Sequence, residues 1–137
     1  MEAICSTAGP APPSPPAAAA SFFFLFRHQR KNPKPTNTGI NISGHYAQPV
    51  RAAASGIVVY SGAGVRGYGN LIILKHNDSY LSAYAYNDKL LVSLGERVRA
   101  GQKIASMGRN DAGKTLLHFE IRKNGRPVDP MRFLRRQ

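Results

Sequence analysis

Residues 56–84 read Gly56-Ile-Val-Val-Tyr60, Ser-Gly-Ala-Gly-Val-Arg-Gly-Tyr-Gly, Asn70-Leu-Ile-Ile-Leu-Lys75, His-Asn-Asp-Ser and Tyr80-Leu-Ser-Ala-Tyr84. Three short runs rich in Val, Ile, Leu and Tyr are separated by Gly, Asn, Asp and Ser. Runs of 4–8 such residues with that punctuation read as strands. Gly62, Gly64, Gly67 and Gly69 form one Gly-rich loop between the first two runs. A phosphate-cradling loop needs a helix after it, and here a strand follows, so nucleotide binding is not the reading.

The pattern continues downstream. Leu116-Leu-His-Phe-Glu-Ile-Arg122 is another strand, and Asn124-Gly125 after it suits a type I′ hairpin turn. Asp129-Pro130, opening the segment that runs to Leu134, places Asp at an N-cap and Pro at N1 of a short helical turn. Residues 95–108, Gly-Glu-Arg-Val-Arg-Ala-Gly-Gln-Lys-Ile-Ala-Ser-Met-Gly, describe two short strands joined by a tight turn. They resemble the half-motif of lipoyl and biotinyl carrier domains. No Lys here has the hairpin-tip setting of a modified carrier lysine, so no cofactor is expected. Many short Gly-punctuated strands predict an all-β fold, a compact β-sandwich or barrel.

The ends differ from this centre. Residues 1–36 hold seven of the ten prolines. Proline removes donors and fixes φ, so this stretch is expected to be a disordered Pro/Ala-rich tail that cannot join a sheet. Its apolar run, Ala17 to Phe26, is preceded by Glu2 and followed by Arg27, Arg30, Lys31 and Lys34, the reverse of a secretory signal. No apolar run reaches a membrane span of about 20 residues. A single Cys excludes an internal disulfide framework. The expected domain is 37–137, which carries 15 Lys+Arg against 6 Asp+Glu. The nine arginines at 66, 97, 99, 109, 122, 126, 132, 135 and 136 predict a basic exterior and acidic partners in general. Nothing reads as a recognition helix or a base-stacking platform, so nucleic acid is not an expected partner.

Several segments, in order, resemble the LytM-type (lysostaphin-like) zinc endopeptidase domain: Gly39-Ile-Asn-Ile-Ser, Pro49-Val-Arg-Ala-Ala-Ala-Ser-Gly, Gly67-Tyr-Gly-Asn-Leu-Ile-Ile-Leu-Lys-His-Asn, Ala100-Gly-Gln-Lys-Ile-Ala, Leu117-His-Phe-Glu-Ile-Arg and Val128-Asp-Pro. The likeness covers about 100 of 137 residues and is nearest to the degenerate domains of NlpD-type and EnvC-like amidase activators. It implies the duplicated-hybrid-motif fold. In active members zinc is held by a His, an Asp four residues later and the second His of a late His-x-His. Two further His serve the catalytic water and the oxyanion. Position by position these fall on Asn37, Asn41, His118, Tyr86 and Leu116, so only His118 survives. A catalytic zinc needs three protein ligands and an open position, and Asn amide oxygens suit harder cations. No catalytic residue and no metal are therefore expected. Rescue by His28, His45 or His76 would need convergent geometry that their spacing does not supply. Asp88, beside Asn87, reads as a turn residue.

A cleft without its catalyst remains as the functional expectation, lined by Tyr84, Tyr86, Leu116, His118 and Phe119. The resemblance implies a non-enzymatic activator of periplasmic N-acetylmuramoyl-L-alanine amidases during peptidoglycan remodelling and daughter-cell separation. The groove would take up a regulatory segment of the amidase, with peptidoglycan as a possible second partner. Two other readings compete: an active metalloendopeptidase with a rebuilt site, and a cell-wall-binding module or truncated relict.

Overall fold

The computed structural model describes residues 34–36 and 38–133. The strands are β1 (Lys34–Pro35), β2 (Ile40–Ser43), β3 (Pro49–Arg51), β4 (Gly56–Gly62), β5 (Asn70–Lys75), β6 (Tyr80–Leu90), β7 (Arg97–Val98), β8 (Lys103–Met107), β9 (Leu116–Lys123) and β10 (Arg126–Val128). One 3₁₀ turn, Pro130–Arg132, follows them. Strand order is β1-β2-β9-β6-β5-β4-β7, every pair antiparallel. β10 extends β9 as a hairpin, and β8 joins the end of β6 to β3. The domain is all-β, as the punctuated runs predict.

Local chemistry sets the ends of these elements. The β9–β10 turn has Asn124 at φ 53° and Gly125 at φ 82°, the two left-handed residues that a type I′ hairpin requires. Asp129 caps the last turn by accepting from Met131 N, with Pro130 at N1. The two strands in residues 95–108 do not pair with each other: β7 pairs with β4, while β8 pairs with β3 and β6.

Along β9 the side chains alternate between two faces. Leu117, Phe119 and Ile121 enter the main core with Ile40, Ile42, Ile72, Leu74 and Tyr84 from the neighbouring strands. Val50, Ile104, Ala105 and Met107 close that core from the β3–β8 side. Tyr84 and Phe119 meet in it with ring centroids 5.4 Å apart. The other face carries a smaller cluster of Leu71, Ala83 and Ala85, with Tyr60, Tyr68, Ile73 and Tyr86 packed against it. The candidate site lies on this second face.

Two expectations are corrected. A proline-rich stretch was expected to stay out of any sheet, yet Pro35 pairs with Ile40 and Lys34 with Asn41. β1 is an edge strand, where a missing N–H costs no ladder bond. Asp88 lies inside β6, not in a turn, at a bulge between Asn87 and Lys89. The expected tail up to residue 33, Asn37, Leu134, Arg135 and Arg136 lie outside the described residues.

Candidate functional site

His118 sits on the β9 face opposite the main core, opposite Asn41 of β2 and Ala85 of β6. Its Nδ1 lies 2.7 Å from Asn41 Oδ1, and its Nε2 lies 2.8 Å from Glu120 Oε2. Thr38 Oγ1 stands 3.3 Å from the same Nε2. Both imidazole nitrogens are therefore engaged.

Glu120 is the residue that the sequence reading missed. It lies two positions after His118 on the same face and is 1 % exposed. Tyr68 donates its hydroxyl to Glu120 Oε2 at 2.9 Å. Arg122 places Nε at 3.0 Å and a terminal guanidinium nitrogen at 2.9 Å from Oε1. Burial pushes the carboxyl up, but hydrogen bonds from His118, Tyr68, Thr38 and Arg122 outweigh it and hold the pKa near about 2. Glu120 is thus ionised at neutral pH, and His118 Nε2 carries the proton that it shares. Burial, and then the bond to Glu120, raise the Tyr68 hydroxyl above its ordinary value. The signal for Glu120 was available, because strand parity puts residues 116, 118 and 120 on one face.

Tyr86 is the unusual backbone at this site, a non-glycine residue at φ 65°. Its N–H donates to Tyr68 O at 3.0 Å, its carbonyl accepts from Gly108 N at 2.9 Å, and its hydroxyl donates to Gly67 O at 2.7 Å. A Cβ on Gly108 would stand 2.7 Å from Tyr86 O, so only glycine fits there without a backbone shift. Tyr60 adds a hold on the Gly-rich loop by accepting from Gly64 N at 2.7 Å. These contacts fasten the loop over the sheet as one wall of a pocket of about 410 Å³. Thr36, Thr38, Asn41, Gly67, Tyr68, Tyr86, Asn110 and His118 line it.

Of the expected lining, Tyr86 and His118 reach the pocket and Asn41 joins them. Tyr84 and Phe119 do not: both are 0 % exposed in the main core on the opposite face. Ala53 N and Ser82 Oγ donate to the Tyr84 hydroxyl at 2.9 Å each, and burial pushes its pKa up to about 12. Leu116 is buried at 7 % exposure on the His118 face, beyond the pocket lining. The pocket wall is polar where an apolar one was expected. Arg122, placed on the exterior by composition, spends its guanidinium on Glu120. His76 is buried, with Nδ1 2.7 Å from Ser55 O and Nε2 2.7 Å from Ser82 Oγ, away from this face.

The peptidase family M23 model matches residues 35–130. The chain belongs to peptidase family M23. This M23 domain is 54% identical over 101 residues to the lipoprotein NlpD/LppB homolog of Pseudomonas aeruginosa, covering 74% of this chain and 34% of that protein. It is 57% identical over 98 residues to the murein hydrolase activator NlpD of Escherichia coli K12, covering 72% of this chain and 26% of that protein. The chain thus spans about a quarter to a third of the length of these curated relatives. Among solved structures, the catalytic domain of lysostaphin from Staphylococcus simulans aligns at a TM-score of 0.66 and 31% identity, covering 74% of this chain and 86% of that one.

The family implies zinc, and the described residues of this M23 domain do not fit it. Among them no three His, Cys, Asp or Glu side chains are grouped to hold a metal ion. Asn41 offers a neutral amide where a carboxylate is needed. Glu120, the nearest carboxylate, already takes bonds from Arg122 on one oxygen and from His118 and Tyr68 on the other. Nor do Thr38, His118 and Glu120 make a nucleophilic triad. Thr38 and Glu120 approach the same imidazole nitrogen, whereas a triad needs nucleophile and carboxylate on opposite nitrogens. The domain is a degenerate member of a peptidase family.

Proposed function

We propose that this domain activates N-acetylmuramoyl-L-alanine amidases without catalysing a reaction itself, in the cell envelope, during peptidoglycan remodelling and daughter-cell separation. One observation carries the reading. The M23 fold and its pocket are kept, while the metal positions hold Asn41 and a His118 already bonded on both nitrogens. The relatives' names support it, since one is called a murein hydrolase activator and another a lipoprotein. The pocket and the cluster of Leu71, Ala83, Ile73 and Tyr60 beside it offer a recess for a regulatory segment of the amidase. Binding that segment releases the amidase's own active site. Moving an autoinhibited enzyme from 1:99 to 99:1 takes about 5.5 kcal/mol of differential affinity.

Dye release from labelled peptidoglycan tests this with the full chain alone, with added zinc, and with an autoinhibited amidase. Release in the amidase arm alone is expected, and Tyr86→Glu should abolish it. Release by the chain alone, lost on chelation, would establish a peptidase instead. No release in any arm would leave a wall-binding role.

A further inference from the structure

The pocket's hydrogen bonds are spent unevenly. Asn110 Oδ1 accepts from Ala112 N and Lys114 N, both at 3.0 Å. Backbone N–H donors can meet only the oxygen end of the amide, so Nδ2 is the end left over. Asn41 spends its amide on His118 Nδ1, 2.7 Å away. Thr36 Oγ1 accepts from Gly39 N at 2.9 Å and Thr38 N at 3.4 Å, which leaves its hydroxyl proton to donate. Asn110 and Thr36 line the pocket, and each keeps a donor while its oxygen is taken. Acceptors remain as well: the Gly67 carbonyl, which takes the Tyr86 hydroxyl at 2.7 Å and has a second lone pair, and the Tyr68 and Tyr86 hydroxyl oxygens, whose protons are spent on Glu120 and Gly67. Among the described residues the lining holds no Asp, Glu, Lys or Arg, and Glu120 behind His118 is paired with Arg122.

From this inventory we infer that the pocket is a receptor for one neutral carboxamide, an Asn or Gln side chain of the partner segment. Its carbonyl is read by Asn110 Nδ2 and the Thr36 hydroxyl, and its NH₂ by the Gly67 carbonyl. A carboxylate matches the donors but offers the Gly67 carbonyl no N–H. An aliphatic side chain leaves every one of these groups unpaired, at a cost for each buried one. The source of the carboxamide rests on the amidase reading above; the chemistry of the pocket does not.

Two experiments separate these layers. The first needs no amidase: the full ¹⁵N-labelled chain is titrated with blocked glutamine, blocked glutamate and blocked leucine (N-acetyl, N′-methylamide). The side-chain NH₂ resonances of Asn110 are followed. Blocked glutamine should shift them most, glutamate less and leucine least. Asn110→Asp keeps an oxygen for the two turn amides but replaces the donor by an anionic acceptor. It should therefore retain the melting temperature and lose the glutamine preference. A larger shift from glutamate, no shift of the Asn110 NH₂, or an unchanged preference in Asn110→Asp would overturn the inference. The second experiment repeats the dye-release assay with Asn110→Asp. The amidase concentration for half-maximal release should rise about tenfold, as the loss of one buried hydrogen bond predicts. If the natural chain fails to stimulate any amidase while the titration holds, the partner assignment falls and the carboxamide site stands.

Discussion

Glu120 carries its charge almost out of solvent, and that has a pH signature. Its folded pKa of about 2 lies below the ordinary 4.5. A depressed carboxylate stabilises the fold fully above its unfolded pKa, and that contribution is lost as pH falls toward the folded value. The shift corresponds to stabilisation on the order of 3 kcal/mol. Denaturant unfolding between pH 7 and pH 2 should show an acid limb below about pH 4.5 that Glu120→Gln removes. Equal limbs in both proteins would show that Glu120 is not the group responsible. His76 gives a second, separate limb. Burial lowers its pKa from 6.5, more than the bond to Ser55 O raises it, so the neutral ring belongs to the fold. Its contribution is complete above pH 6.5 and declines as pH falls below that value, a loss that Glu120→Gln should leave in place.

Among the elements, β6 shows where local reading stops. Gly-punctuated runs exposed β5 and the start of β6 and β9, because strand period and glycine breaks are short-range signals. The expected end at Tyr84 was six residues short, since β6 runs on to Leu90 through a bulge. Simple alternation would put Tyr84 and Tyr86 on one face. The left-handed Tyr86 breaks that parity: Ala85 and Tyr86 both pack on the outer cluster, while Tyr84 stays in the core. A backbone of that kind costs about 1–3 kcal/mol and has to be held by its surroundings. No residue pattern announces it. Phe119 is a different miss, because its neighbour His118 faces the pocket and alternation alone assigns Phe119 to the core. Phe119→Ala should therefore cost about 3–5 kcal/mol in denaturant unfolding; a loss below 1 kcal/mol would contradict its core placement. Tyr86→Phe keeps the ring and removes only the bond to Gly67 O. Hydrogen exchange should quicken at Val65 to Tyr68 while β5 and β9 stay protected. Unchanged exchange in that loop would mean that the hydroxyl does not fasten it.

Over the whole molecule, the question is what holds the pocket together in place of a metal. In this chain the ties are hydrogen bonds converging on Glu120 from His118 and Arg122 on β9, and from Tyr68 on the Gly-rich loop. Glu120 cannot turn to a cation without releasing Arg122 and Tyr68, and His118 cannot without releasing Asn41 or Glu120. Zinc should thus find no site worth its desolvation. Mass action makes the test quantitative, because a ligand at one hundred times its Kd adds about 2.7 kcal/mol to stability. For a domain of about 100 residues that would raise Tm by roughly 10–20 °C. The full chain should melt at the same temperature, within about 1 °C, with 100 μM zinc or with chelator. The double substitution Asn37→His, Asn41→Asp supplies the two ligand types that the family carries at those positions, to join His118. It should convert that flat response into a zinc-dependent rise. A rise in the natural chain would mean that the network yields to a metal, and the activator reading would then have to give way to a peptidase.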